Sequence, residues 1–226
     1  MNVAIAILAK APIPGLSKTR LIPCLGAEGA AGLQRWLLQR TVGTAMNAGL
    51  GPVTLWCAPD TTHPEFMRLA GRAGITLRRQ TNGDLGERML QALRESPGAQ
   101  GTLLIGTDCP TLKPSHLQAA ACGLEAHPAV FIPAEDGGYV LAGMRDAHPE
   151  PFSDIEWSTE RVMAQTRQRL AAIGWRWQEF ESLWDVDREE DLERLQHAFP
   201  ECRELCVLQS NRRAGAEQVG SGLYED

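Results

Sequence analysis

The fold is decided by the first apolar stretch of the chain, Val3-Ala-Ile-Ala-Ile-Leu-Ala9. Every position in this stretch is apolar, which is typical of a strand whose two faces are both buried in a parallel sheet. Its seven residues are far fewer than the roughly 20 that a membrane-spanning helix needs. The stretch therefore predicts the first strand of a buried sheet.

Strand-like runs and helical patterns alternate along the rest of the chain. Further strands are predicted at residues 53–57, 75–79, 102–106, 130–133, 139–142 and 175–180. Helices are predicted at residues 27–48, 65–72 closed by Gly74, 87–95, 114–125, 159–173 and 187–198. This alternation predicts βαβ units, and therefore an α/β fold with a mostly parallel central sheet that is flanked by helices.

Length and composition narrow the class of protein. The 226 residues predict a single domain over residues 1–199 and a tail over residues 200–226. The formal net charge of −6 argues against a nucleic-acid-binding protein, which is usually basic. No basic segment precedes the first apolar stretch, so we expect no signal peptide, no membrane association and a cytoplasmic location. The six cysteines lack the spacing of a zinc site and are expected to be reduced thiols.

Charge is distributed unevenly along the chain. Residues 1–40 carry a net charge of +4, whereas residues 179–193 carry −7. Opposite poles of this kind suit a phosphate and a divalent cation, and solvated surface faces are the alternative explanation.

Polar clusters follow several of the predicted strands. They are residues 10–20, residues 80–86, the pair Thr107-Asp108, and Asp136. Because ligands of open α/β sheets bind beyond the carboxyl ends of the strands, we expect all four clusters to lie at one edge of the sheet.

The loop after the first strand contains three cations, Lys10, Lys18 and Arg20. Fixed cations and backbone N–H groups in such a loop suit a pyrophosphate. A Walker A phosphate loop is excluded, because Ser17 stands where that motif requires the glycine that precedes the lysine. A solvated, proline-rich loop is the alternative.

Three acidic positions are candidates for chemistry. Asp108 follows a buried strand, where its carboxylate suits Mg²⁺ or Mn²⁺ bridging to phosphates, although turn formation explains it equally well. Asp136 begins an Asp-Gly-Gly turn typical of a tight hairpin, and its alternative role is a metal ligand or the base that activates an acceptor. Asp187 and Glu190 have the spacing of a helix capping box, which leaves Asp185 unexplained, so a second metal carboxylate opposite Asp108 is the alternative.

The segment Gln80-Thr-Asn-Gly-Asp-Leu-Gly86 follows the third predicted strand. Its glycines, Gly83 and Gly86, would let the backbone approach a flat ligand closely. Asp84 and Glu87 also have the spacing of a capping box, which is the structural alternative.

Six motifs, in consistent order between about residues 3 and 195, resemble a bacterial family of GT-A-like predicted glycosyltransferases, some of them linked to arsenosugar biosynthesis. The motifs are Lys10-Ala-Pro-Ile-Pro-Gly15 with Lys18-Thr-Arg-Leu21, Gly83-Asp-Leu-Gly-Glu-Arg-Met89, Gly106-Thr-Asp-Cys-Pro110, Asp136-Gly-Gly-Tyr139, Trp157-Ser-Thr159 and Asp185-Val-Asp187. The family is similar to the molybdenum-cofactor and phospholactate guanylyltransferases, which share the nucleotide-diphospho-sugar transferase fold.

The resemblance implies a role for each candidate residue. It implies a GT-A, Rossmann-like fold with Mg²⁺ or Mn²⁺ as cofactor, bound by Asp108 and Asp187. Lys18 and Asp136 are the expected catalytic residues. The expected nucleotide contacts are Lys10, Lys18, Arg20, Asn82, Gly83, Asp84, Gly86 and Thr107.

Three functions follow as expectations. The first is a metal-dependent glycosyltransferase that takes a nucleotide-diphospho-sugar donor and a small-molecule acceptor. The second is a nucleotidyltransferase that releases pyrophosphate, which the extra cations of the first loop favour. The third is a nucleotide-binding protein without catalysis. A homodimer is compatible with each of them.

Overall fold

The computed structural model describes residues 2–71, 75–96 and 98–202. The described residues form two compact units. We call residues 2–11 with 37–185 the sheet unit, and residues 12–36 with 186–202 the smaller unit. Gly74, Cys206 and the predicted tail from residue 203 onward lie outside the described residues. The single domain over residues 1–199 stays a prediction.

The sheet unit contains one seven-stranded sheet within its described residues. The strands are β1 (Ala4–Lys10), β2 (Val53–Ala58), β3 (Ile75–Arg79), β4 (Thr102–Ile105), β5 (Ala129–Pro133), β6 (Tyr139–Met144) and β7 (Trp177–Glu179). Their order across the sheet is β3-β2-β1-β4-β6-β5-β7. All neighbouring pairs are parallel except those of β6, which runs antiparallel to β4 and β5. The prediction of a mostly parallel α/β sheet is confirmed.

Helices follow most of the strands in the chain. They are α1 (Ile22–Ala48), α2 (Pro64–Ala70), α3 (Leu85–Glu95), α4 (Pro114–Ala126), α5 (Val162–Ala172) and α6 (Glu189–Ala198). Short 3₁₀ turns cover Thr19–Leu21, Glu150–Phe152 and Pro200–Cys202. Gly26 has a φ of 68° and interrupts α1. The regular helix therefore begins after Gly26, in agreement with the predicted helix over residues 27–48.

The core of the sheet unit is built around β1. Residues 4–7 of this strand have no exposed surface, because β2 and β4 cover its edges and side chains cover its faces. Trp56, Leu104 and Phe131 from neighbouring strands join Met89 of α3 and Met163 of α5 in one buried cluster. Burying side chains of this size contributes roughly 1.5–3 kcal/mol each, so the apolar runs are the main reason for the sheet.

Two predicted helix starts are wrong. The helix predicted from Thr159 begins at Val162, because the preceding residues form turns in which Ser158 has a positive φ of 65°. The helix predicted from Asp187 begins at Glu189. The Asp191 carboxylate, and not that of Asp187, caps this helix, since it accepts hydrogen bonds from the backbone N–H groups of Asp187 and Arg188 at 2.8 and 2.7 Å.

The described residues contain no helix that is both long and apolar enough to cross a membrane. The cytoplasmic location stays a prediction. Among the cysteines in the described part of the chain, Cys57, Cys109 and Cys122 are free thiols. The reduced state of all six cysteines stays a prediction.

Candidate functional site

The order of the strands reverses between β1 and β4. From β1 the chain adds β2 and β3 on one side and then crosses to place β4 on the other side. The register pairs Ile7 with Ile105, and Lys10 and Asp108 each lie three residues beyond that pair. The topology therefore places a cation and a carboxylate at the carboxyl ends of adjacent parallel strands, where ligands of open α/β sheets bind.

The turn between β5 and β6 lies at the same edge of the sheet. Because β6 is antiparallel and pairs Leu141 with Ile105 of β4, its first residue lies toward the carboxyl end of β4. The Asp136 carboxylate accepts a hydrogen bond from the backbone N–H of Gly138 at 2.9 Å, so the hairpin prediction is confirmed. Gly137 has a φ of 92°, and a Cβ there would collide with the backbone of Glu160. The turn is thus fixed by its backbone, while a catalytic role of Asp136 stays a prediction.

The segment after β3 is anchored to the sheet by one side chain. The Gln80 amide donates hydrogen bonds to the backbone carbonyls of Ala9, at 3.2 Å, and Trp56, at 2.8 Å. Gln80 therefore ties the start of this segment to β1 and β2. Asn82 and Gly83 beyond it are exposed, and their nucleotide contacts stay predictions.

The capping box at the start of α3 is confirmed. The Asp84 carboxylate accepts from the backbone N–H of Glu87 at 2.8 Å, and the Glu87 carboxylate accepts from that of Asp84 at 2.9 Å. A Cβ at Gly86 would lie 2.9 Å from both the carbonyl oxygen of Phe152 and the ring of Trp157. Packing therefore explains the small residue at 86 without any ligand.

Asp108 lies in a polar turn whose backbone is held by α1. The Arg40 guanidinium donates to the carbonyl of Pro110 at 2.6 Å, and the Thr107 hydroxyl lies 3.4 Å from the Asp108 carboxylate. Burial raises the pKa of the neighbouring Cys109 thiol, and the charge of Asp185 raises it further. The turn that carries Asp108 therefore lies in the electrostatic field of a second carboxylate, that of Asp185.

In the smaller unit, the cations Lys18 and Arg20 both contact the carboxylate of Asp187, and we call these three side chains the charge triad. The Lys18 ammonium donates to the carbonyl of Val186 at 2.6 Å and lies 3.4 Å from the Asp187 carboxylate. The Arg20 guanidinium donates to the other oxygen of that carboxylate at 2.6 Å. The side chain of Lys18 is only 4% exposed, whereas those of Arg20 and Asp187 are 57% and 41% exposed.

The charge triad joins two residues predicted to bind phosphate with one predicted to bind a metal. Lys18 adopts a left-handed backbone conformation with a φ of 48°, and its ammonium faces a carbonyl and a carboxylate. Arg20 retains surface through which a ligand can reach it. Phosphate binding by both cations and metal binding by Asp187 stay predictions.

Local sequence patterns did not reveal the charge triad. The available signal was the opposite charge of residues 1–40 and 179–193, which suits a phosphate and a divalent cation or, alternatively, solvated surface faces. Within the smaller unit, part of that opposite charge is paired internally.

The residues at the sheet edge are compatible with a divalent metal that is bound together with phosphates. The described residues contain no group of three or more His, Cys, Asp and Glu side chains arranged to hold a metal by themselves. Mg²⁺ in nucleotide sites usually takes only one or two protein carboxylates, its other ligands being phosphate oxygens and water. A single strand-end carboxylate such as Asp108 fits that pattern.

A cavity of about 310 Å³ lies at the opposite edge of the sheet. Its lining consists of Val3 before β1, Gln100 before β4, Arg145 after β6, and Ala121, Leu124 and Glu125 of α4. None of the predicted site residues lines this cavity.

The chain belongs to the bacterial family described as "uncharacterized protein conserved in bacteria (DUF2064)", whose model matches residues 41–159. A search of curated proteins found no match.

Solved structures with related folds extend the comparison. A "putative nucleotide-diphospho-sugar transferase" from Desulfovibrio desulfuricans G20 is 29% identical, covers 87% of each chain and has a TM-score of 0.77. A nucleotidyl transferase from Methanothermobacter thermautotrophicus is 15% identical, with coverage of 89% of this chain and 99% of that chain and a TM-score of 0.59. A Mycobacterium tuberculosis protein solved as a manganese complex is 15% identical, with coverage of 85% and 97% and a TM-score of 0.51.

These comparisons confirm the predicted fold, which is that of nucleotide-diphospho-sugar transferases and nucleotidyltransferases. They are consistent with the predicted transferase class. The last two matches are too distant in sequence to carry more than the fold.

Proposed function

We propose that this protein is a metal-dependent transferase that uses a nucleotide-diphospho-sugar as donor. The observation that carries the proposal is the position of Lys10 and Asp108 at the carboxyl ends of β1 and β4, where the strand order reverses. A structure 29% identical over 87% of the chain, and named as a transferase of this donor class, supports it.

Each role in the proposal follows from the chemistry of a side chain. Asp108 is the proposed metal ligand of the sheet unit, and Asp187 as a further ligand stays a prediction. A divalent ion bound there would neutralise negative charge on the departing diphosphate. Lys10, Lys18 and Arg20 are the proposed phosphate contacts. Thr107 and the segment 82–86 are proposed to contact the rest of the nucleotide, and Asp136 is the proposed base that accepts a proton from the acceptor.

The second candidate is a nucleotidyltransferase, in which a phosphate oxygen of the acceptor attacks the α-phosphorus and pyrophosphate leaves. The cations of the first loop favour it, because a triphosphate carries more charge than a diphosphate. The fold of a nucleotidyl transferase, which covers 89% of this chain, is compatible with it. A nucleotide-binding protein without catalysis would bind the same ligands and release no product.

Narrower features of the family resemblance belong to the same proposal. They are membership of the arsenosugar-biosynthesis type, kinship with the molybdenum-cofactor and phospholactate guanylyltransferases, a small-molecule acceptor and a homodimer. Guanine and uracil nucleotides are the first donors to test. Guanine follows from the kinship with guanylyltransferases, and uracil is chosen because many sugar donors carry it.

Thermal melting with nucleoside diphosphates and Mg²⁺ or Mn²⁺ tests the proposal. Ligand at about 100 times its dissociation constant stabilises a protein by roughly 2.7 kcal/mol. For a chain of this size, that stabilisation raises the melting temperature by about 5–10 °C. We expect metal and nucleotide together to give this shift, and either alone to give far less.

Product analysis then separates the candidates. A labelled nucleotide-sugar that yields free nucleoside diphosphate supports the first, and a labelled nucleoside triphosphate that yields pyrophosphate supports the second. If no nucleotide shifts the melt at millimolar concentration with either metal, both transferase candidates are wrong.

A further inference from the structure

The Asp187 carboxylate occupies the position in the smaller unit that an anionic ligand of Arg20 would take. One carboxylate oxygen lies 2.6 Å from the Arg20 guanidinium, and the other lies 3.4 Å from the Lys18 ammonium. Two cations that converge on one anion are the usual arrangement of a phosphate site, in which an arginine donates to phosphate oxygens. Here the anion belongs to the chain itself.

We infer that Asp187 competes with phosphate-containing ligands for Arg20, so that such a ligand binds Arg20 only by displacing this carboxylate. The inference rests on the proposed function only in taking a nucleotide diphosphate as the natural ligand. The competition itself depends on the charge triad and applies to inorganic pyrophosphate as well.

The exposure of the three side chains determines which contact changes. Arg20 and Asp187 are 57% and 41% exposed, and ion pairs in contact with water are weak and screened by salt. Lys18 is 4% exposed and is also held by the carbonyl of Val186 at 2.6 Å, so its ammonium stays in place as a fixed charge. Arg20 therefore exchanges a carboxylate for a phosphate, while Lys18 keeps its carbonyl partner.

The exchange costs little because phosphate is the stronger partner. A pyrophosphate carries more negative charge than one carboxylate and offers the paired oxygens that a guanidinium binds in bidentate fashion. The remaining cost is the loss of the Arg20–Asp187 contact, which lowers the affinity for the anion by the strength of that contact. An exposed ion pair of this kind has a strength of at most about 1 kcal/mol, or about fivefold in affinity.

The inference is tested by calorimetric titration of the wild type and Asp187→Asn with inorganic pyrophosphate. Both titrations are done at low salt with a metal chelator present. Asparagine keeps the size of the side chain and removes its charge, so Arg20 loses its internal anion. We expect the variant to bind pyrophosphate about threefold to fivefold more tightly than the wild type. The chelator separates this result from any role of Asp187 as a metal ligand, which predicts no gain without metal.

Two controls separate direct competition from a general change of charge. Glu189→Gln removes the same charge two residues away, from an exposed side chain for which the described residues show no contact with Arg20 or Lys18. We expect less than half of the gain from it. In an Arg20→Met background, Asp187→Asn should give no gain, because the two substitutions act on one contact.

Three outcomes would overturn the inference: no gain in Asp187→Asn, an equal gain in Glu189→Gln, or a gain that persists without Arg20. Absence of pyrophosphate binding in both the wild type and Asp187→Asn would overturn it as well. Failure of the proposed function looks different, because a gain in pyrophosphate affinity can occur in a protein that no nucleotide with metal stabilises.

Discussion

The carboxyl edge of the sheet and the charge triad position their side chains by different forces. At the sheet edge, strand register and local backbone hydrogen bonds fix Lys10, Asp108 and Asp136. In the charge triad, Lys18 and Arg20 both contact the carboxylate of Asp187, and Lys18 also donates to the carbonyl of Val186. A substitution at the sheet edge should therefore remove a chemical group and leave the backbone in place. A substitution in the triad should also change the positions of the neighbouring side chains.

The largest expected effect comes from Asp108→Asn at the sheet edge. A contact to a charged group contributes about 1.5–3 kcal/mol, so metal-dependent nucleotide binding should fall by about 10- to 100-fold. The melting temperature without ligand should change by less than about 2 °C, because the backbone holds the turn. Titration of metal in the presence of nucleotide measures the first quantity, and thermal melting measures the second.

Asp146→Asn is the matched control for this substitution. Asp146 is exposed and follows β6, at the opposite edge of the sheet. Unchanged metal affinity in a folded Asp108→Asn protein, or an equal loss in Asp146→Asn, would refute the assignment of Asp108.

Within the charge triad, Lys18→Met and Arg20→Met should have opposite signatures. Lys18→Met leaves the Val186 carbonyl without its buried donor, which costs roughly 1–3 kcal/mol and lowers the melting temperature by about 2–12 °C. Arg20→Met should leave the melting temperature within about 2 °C, since its ion pair is exposed. It should instead weaken nucleotide binding about tenfold and leave nucleoside binding unchanged.

Melting curves together with nucleotide and nucleoside titrations distinguish the two variants. Equal losses of nucleotide and nucleoside affinity in Arg20→Met would mean that the loop is structural. A Lys18→Met protein as stable as the wild type would show that the contact between Lys18 and the Val186 carbonyl does not stabilise the fold.

Gly86→Ala tests whether packing explains the small residue at position 86. The added methyl group meets the Phe152 carbonyl and the Trp157 ring at 2.9 Å, and overpacking of this kind costs about 1–3 kcal/mol. We expect a lower melting temperature in the absence of any ligand. A variant of normal stability that binds nucleotide poorly would contradict the packing explanation and favour close approach of a ligand.

The smallest effect on stability is expected for Asp136→Asn. An asparagine oxygen can accept the same hydrogen bond from Gly138, so the free energy of unfolding should change by less than about 0.5 kcal/mol. If Asp136 is the base, turnover should nevertheless fall strongly, since an amide accepts no proton. Turnover close to that of the wild type would reduce Asp136 to a turn residue.

The fold could be predicted because its information is local. A buried parallel strand carries an uninterrupted apolar run, and β3 occupies the predicted residues, Ile75–Arg79. The capping box of α3 was also predictable, since Asp84 and Glu87 lie within one helical turn. The same reasoning failed at Asp187, because the carboxylate of Asp191, and not that of Glu190, accepts hydrogen bonds from the backbone N–H groups of Asp187 and Arg188.

The candidate site could be predicted only where it depends on strand ends. Asp108 and Lys10 follow apolar runs, so the topology alone places them at one edge. The contact between Lys18 and Asp187 joins residues 169 positions apart, and no local pattern indicates which acid a lysine will meet at that distance. The packing of Gly86 against Phe152 and Trp157 was unpredictable for the same reason, because both residues are remote in sequence.

The central position of β1 also has a consequence for synthesis of the chain. This strand is synthesised before the other strands of the sheet, but its partner β4 begins roughly a hundred residues later, and pairing over such separations is slow. Until β4 arrives, one edge of a strand that is apolar from Ala4 to Ala9 has no permanent neighbour. The nascent chain therefore exposes an apolar strand edge during synthesis of the intervening residues. A holding chaperone, or slower production at low temperature, should increase the yield of folded protein.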